Sequence, residues 1–222
     1  MTERFSDALV EPLMKYLLAA LILAPLSAQT VDQLEAHAVS LSKATYQGKA
    51  ATRVDALPDA ANAASYAVVK GSRFRNGTIE VELAGKPAAN AGAAARGFIG
   101  VAFRVQGDAY EYIYLRPTNG RADDQVRRNH ATQYASRPGY DFDRFRKESP
   151  EKYESYVDLE PGVWTKVRIV VEGTKARLYV HGAEQPCLIV NDLKRGEGEG
   201  AVALWVGPGT EGYFANLKVT PR

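Results

Sequence analysis

The 222-residue chain has one cysteine, three histidines, and no apolar run after Leu26 as long as Leu17–Leu26. A single cysteine excludes an intramolecular disulfide, so stability must come from core burial. Cys187 lies among apolar neighbours, Pro186 to Val190, and reads as a small buried hydrophobe. A nucleophilic role would need a paired base and an electropositive setting. His37, His130 and His181 lack the spacing of a zinc site, so no metal ligand set is assigned. Charge is also nearly balanced, with 28 basic and 26 acidic residues and a net charge of +2. That balance excludes the basic stripe of a nucleic-acid-binding domain.

What is present starts with a targeting pattern. Met14-Lys15-Tyr16 leads into Leu17–Leu26, and Ser27-Ala28-Gln29 follows. A charged start, a short apolar stretch and a small residue at the cut make residues 1–28 a signal peptide. The apolar stretch falls short of the about 20 residues that span a bilayer. An uncleaved anchor is the alternative. Residues 1–13 are rich in acids, which makes Met14 a candidate start. The rest, 29–222, reads as a single secreted or periplasmic domain with no membrane span after cleavage.

Short strands separated by turn residues run through that domain, and no strand–helix alternation suggests an α/β fold. Thr78–Leu83 alternates cleanly: Ile79, Val81 and Leu83 face a core, Glu80 and Glu82 face water. Asn76-Gly77 before it is a hairpin-type turn signal. Phe98–Val105 and Tyr110–Arg116 form a hairpin around Gly107-Asp108. Pairing their apolar faces puts Arg104, Tyr112, Tyr114 and Arg116 together on the opposite surface. Glu111 then falls on the core side, where it needs a partner. Pro117 to Pro161 reads as a long insertion without strands, partly helical around Tyr140–Tyr156 and interrupted by Pro150. A connection of that length is usually functional. Strands resume at Trp164–Glu172, Lys175–His181, Cys187–Val190, Ala201–Val206 and Tyr213–Val219. The fold class is all-β, a sandwich or barrel.

Several of these strands carry family features. Trp164/Val167/Ile169, Val180-His181-Gly182, Gly200/Val202/Leu204-Trp205, Phe214/Asn216-Leu217/Val219 and Gly97–Arg104 resemble the strands of concanavalin A-like jelly rolls. The branch most similar is the laminin-G-like and 3-keto-disaccharide hydrolase type domain of exported bacterial proteins. The resemblance implies a jelly-roll β-sandwich with one insertion at about 117–161. It also implies a carbohydrate ligand on a sheet face; no cofactor is assigned, although such folds often hold Ca²⁺, which Asp123, Asp124 and Asn119 could bind. The E-x-D-x-x-E motif of laminarinase-type enzymes is missing. Glu80 and Glu82 supply only two acids on one face, which disfavours a retaining mechanism of that type.

Two candidate sites follow. The first is the sheet face with Arg104, Tyr112, Tyr114 and Arg116, joined by Trp205. Aromatic rings there would stack on a pyranose and arginines would bond hydroxyls or carboxylates, which suits an anionic or oxidised sugar. A wet outer face with tyrosines chosen for strand propensity is the competing account. The second is the loop from Asn119 to Tyr134, with Arg121, Arg128 and Gln133 as further ligand contacts. In it His130 could carry a proton, with Asp124 orienting it. A loop held by its own Asp123/Asp124 to Arg127/Arg128 salt bridges is the plainer account. Three functions remain: an exported carbohydrate-binding protein, ranked first; a glycan-cleaving enzyme; and a structural or partner-binding domain.

Overall fold

A computed structural model describes residues 30–58 and 65–222. The signal-peptide reading of 1–28 lies outside the described residues. The strands are β1 (Leu34–His37), β2 (Val39–Tyr46), β3 (Lys49–Ala56), β4 (Tyr66–Val69), β5 (Gly77–Pro87), β6 (Ile99–Gln106) and β7 (Ala109–Leu115). After a short helix α1 (Gln125–Asn129) come β8 (Thr132–Arg137), helix α2 (Phe142–Glu148) and β9 (Glu154–Ser155). The chain ends with β10 (Thr165–Glu172), β11 (Lys175–Val180), β12 (Leu188–Val190), β13 (Ala201–Val206) and β14 (Thr210–Pro221). They form two seven-stranded antiparallel sheets. The front sheet runs β1-β4-β13-β6-β7-β8-β9 and the back sheet β12-β11-β10-β5-β14-β3-β2.

Period-2 alternation builds the core between them. Ile99, Val101, Ile113, Leu115 and Leu204 from the front sheet meet Ile79, Leu83, Ile169, Leu178 and Phe214 from the back. All are buried, and each contributes about 1.5–3 kcal/mol relative to an exposed position. Glu80 and Glu82 point away from this core, but they are half-buried and paired, with Lys218 and Lys49 respectively, rather than simply solvated.

Two expectations are corrected. The 117–161 segment is not strandless: β8 and β9 lie inside it and complete one edge of the front sheet. The helix expected around Tyr140–Tyr156 spans only Phe142–Glu148, with Asp141 Oδ1 accepting from the Arg144 N–H at 3.1 Å as its cap. Asn76-Gly77 is not a hairpin turn either, because the strands it joins, β4 and β5, belong to different sheets. The Asn76 Oδ1 instead accepts from the Gly173 N–H at 2.9 Å.

Candidate functional site

One transverse row of the front sheet organises the site. Tyr66, Trp205, Gly100, Tyr114, Gln133 and Glu154 are successive cross-strand partners on β4, β13, β6, β7, β8 and β9. Glycine is needed at 100, where a Cβ would lie 2.6 Å from the Tyr114 Cα. Its bare backbone lets the Trp205 and Tyr114 rings meet across it at 4.8 Å between centroids. Tyr112, one step along β7, stacks on Tyr114 at 5.6 Å and lies 5.1 Å from Trp205. The three rings make the aromatic floor of a cleft of about 490 Å³. Its walls are the Gly92–Ala95 loop, Phe98, Pro208-Gly209 and the start of α2. Arg137, Asp141 and Asp143 supply polar groups to the lining.

Beyond Tyr114 the same row turns polar. Arg116 is 4% exposed. Its Nη2 donates to the Tyr114 hydroxyl at 2.9 Å and to Gln133 Oε1 at 3.0 Å. Its Nη1 donates to Glu154 Oε1 at 3.0 Å and to the His130 carbonyl at 3.0 Å. Glu154 also accepts from Arg146, at 2.6 Å from Nη2, and lies 3.6 Å from His130 Nε2. A buried carboxylate held by two guanidiniums satisfies the rule that buried charge must be paired. A second pocket of about 260 Å³ opens here, lined by Arg96, Arg116, Asn119, Arg127, His130 and Arg146 among others. Ala94, Phe98 and Phe142 line both pockets, so the aromatic cleft and the cationic pocket adjoin. Burial first, then the Arg146 and Arg116 charges, lower the His130 pKa against the opposing pull of Glu154.

The structure sorts the expected site residues into two groups. Tyr112, Tyr114, Arg116 and Trp205 do share the outer face, with Gln133 beneath Arg116, and Asn119 and His130 line the cationic pocket. Arg104 does not join them. A bulge between Phe103 and Gln106, with Arg104 at φ 54°, turns its side chain toward the sandwich interior. There its guanidinium donates to the carbonyls of Arg75 (2.8 Å), Gly173 (2.7 Å) and Gly196 (2.6 Å). Arg121 is drawn into exposed ion pairs with Asp158 and Glu160, and Arg128 bonds the Tyr156 hydroxyl at 2.9 Å. Neither lines the cleft or the cationic pocket. Asp124 caps α1, accepting from the Arg127 N–H at 2.8 Å. The acid beside His130 is therefore Glu154 rather than Asp124. Cys187 is half-buried, its thiol pKa pushed up to about 11 by burial, as a small hydrophobe should be. Among the described residues, no three His, Cys, Asp or Glu side chains gather as a metal cluster.

Glu154, Arg146, Arg96 and Phe142 escaped the sequence reading, and Arg127 entered it only as a salt-bridge partner within the Asn119–Tyr134 loop. Arg146 and Glu154 are eight residues apart in a segment read as helix, and they meet only because β9 pairs with β8. The run Tyr140 to Phe145, with three aromatics, was the one available hint.

Two seven-stranded antiparallel sheets packed face to face make this a jelly-roll β-sandwich, with a loop-walled cleft on the outer face of one sheet. No protein-family model and no curated protein sequence matches the chain. Solved structures do match. The carbohydrate-binding module CBM66 from Bacillus subtilis superposes with a TM-score of 0.56 at 10% identity, covering 83% of this chain and 93% of that one. A Parabacteroides distasonis protein assigned as a glycosyl hydrolase gives 0.55 at 10% identity, over 90% and 98%. A Bacillus subtilis protein of unknown function with a galectin-like fold gives 0.52 at 9% identity, over 86% and 92%. At these identities the likeness is one of fold.

Proposed function

We propose that this protein is an exported carbohydrate-binding jelly roll whose ligand lies in the cleft above Tyr112, Tyr114 and Trp205. The observation that carries this reading is the cleft itself: three mutually packed rings in a 490 Å³ groove whose lining also carries Arg137, Asp141 and Asp143. Apolar ring faces take the C–H face of a pyranose, and a few polar groups fix its orientation. The fold supports the reading, because a carbohydrate-binding module shares it. Isothermal titration of a glycan panel tests it: binding that Phe142→Ala weakens supports the cleft, and no response to any glycan refutes it. Export is tested separately. The mature protein recovered from the periplasm or medium should begin at Gln29, and an N-terminus at Met1 or Met14 would refute cleavage.

Glycan cleavage is the second reading, favoured by the 3.6 Å approach of His130 to Glu154 beside the cleft. Both Glu154 oxygens accept from arginine, so His130 is the better proton carrier of the two. Release of reducing ends, lost in His130→Ala, would decide for it.

A further inference from the structure

The cationic pocket at the end of the aromatic cleft has more positive charge than the fold uses. Arg96, Arg116, Arg127 and Arg146 line it, and Glu154 is the one carboxylate that bonds any of them among the described residues. Glu154 is consumed by Arg116 and Arg146. Arg96 reaches only the backbone carbonyls of Ala93 and Ala95, both through Nη1. The Arg127 guanidinium has no hydrogen-bond or ion-pair partner among the described residues. Several N–H donors of planar guanidiniums are thus left unspent around one concavity.

A second observation points the same way. Asn119 is 5% exposed and lines this pocket. Its Nδ2 donates to the His130 carbonyl at 3.1 Å, while its Oδ1 is buried with no hydrogen-bond partner. A buried acceptor without a donor costs about 1–3 kcal/mol, so it calls for an occupant that donates. A hydroxyl would satisfy it. The occupant therefore combines an anionic group for the arginines with a hydroxyl for Asn119. Arg96 shows the same imbalance of charge: burial lowers its pKa, and the neighbouring Arg127 and Arg116 lower it further.

Position then fixes the class of ligand. The Arg116 guanidinium lies 5.0 Å from the Tyr114 ring centre and 5.7 Å from that of Phe142. Tyr114 belongs to the cleft floor and Phe142 to the partition between the two pockets. A sugar ring stacked on the floor would present a substituent directly to the arginines.

Building on the carbohydrate reading above, we infer that the ligand is an acidic saccharide, with a uronate carboxylate seated among Arg96, Arg127 and Arg146 and a ring hydroxyl on Asn119. Carboxylate and sulfate can both meet the guanidinium fork bidentately, so a sulfated arm in the test separates them.

The test is calorimetric titration of the full chain with oligomers of galacturonate, glucuronate, mannuronate and guluronate. Each is paired with its carboxyl-reduced neutral counterpart, and 6-O-sulfated galactose oligomers form a third arm. One uronate should bind ~10-fold or more tighter than its reduced form, a preference that falls with added salt. Arg127→Gln, on an exposed helix position that should not disturb folding, should erase most of that preference. Equal binding of reduced and native oligomers would overturn the inference while leaving the cleft reading intact. Tighter binding of the sulfated arm would overturn the choice of carboxylate. Absence of binding by any oligomer, charged or neutral, would overturn both readings together.

Discussion

Arg104 on β6 and Arg116, one residue past the end of the neighbouring strand β7, are 2% and 4% exposed and belong to different parts of the protein's work. Arg104 faces inward and spends its donors on backbone carbonyls of three separate loops, Arg75, Gly173 and Gly196. It ties the end of the front sheet to turns of the back sheet. Arg116 faces outward and spends its donors mainly on side chains, Glu154, Gln133 and Tyr114, which border an open pocket. Burial of a charge does not by itself mark function. What separates the two is the surroundings: carbonyls closed around Arg104, and donors and an acceptor left unspent around Arg116.

Substitution should make the contrast quantitative. Arg104→Ala leaves buried carbonyls without donors and should cost at least about 3 kcal/mol of stability. Denaturant unfolding should show that loss, while ligand affinity of the folded fraction stays at the wild-type value. A weakened ligand with unchanged stability would reverse the assignment. Arg116→Ala comes second, at about 2 kcal/mol, because Arg146 still neutralises Glu154. Unlike the first variant it should also weaken ligand, since Tyr114 and Gln133 lose the group that orients them. Phe142→Ala, at the partition between the pockets, should lower affinity by about tenfold with little change in the unfolding midpoint.

The same pair shows how far the chain could be read before its structure. Ile79, Val81, Leu83, Ile113 and Leu115 follow strict alternation, and every one is buried where that pattern puts it. Tyr112, Tyr114 and Arg116 share a face for the same reason. Arg104 obeys the rule only until the bulge at its own position, and nothing in Phe103-Arg104-Val105 announces a left-handed residue. Strand β8 was illegible for a different cause. Thr132-Gln133-Tyr134-Ala135-Ser136-Arg137 looks like a polar loop because it buries polar side chains, Gln133 and Tyr134 among them, against polar partners. Gln133 serves Arg116, and Tyr134 donates to Glu111 at 2.5 Å. Glu111 did need the partner its core position implied, and it also accepts from the Arg195 N–H at 2.8 Å. A buried polar network hides from hydrophobic periodicity, and here such a network borders the site.

The smallest effect, and the one that reads the pocket's field directly, concerns His130. Burial and the flanking Arg146 and Arg116 hold its pKa below the ordinary imidazole value, with Glu154 and Glu151 pulling the other way. The unfolded chain therefore takes up this proton first as pH falls. The contribution of His130 to stability is complete above the ordinary value of about 6.5 and is lost as pH drops from there toward the folded value. His130→Gln should flatten that part of the stability–pH curve, measured by thermal unfolding between pH 7.5 and 5. Ligand binding should carry the opposite sign. A carboxylate seated beside Arg127 and Arg146 partly cancels the field that depresses the imidazole, so the complex binds the proton more readily than the free protein. Affinity for a uronate oligomer should then rise over the window in which the free protein loses stability, and a neutral oligomer should show no such rise. His130→Gln should abolish the rise as well. If affinity for the uronate instead falls in step with stability through that window, the imidazole does not face the bound anion, and the carboxylate lies elsewhere in the cleft.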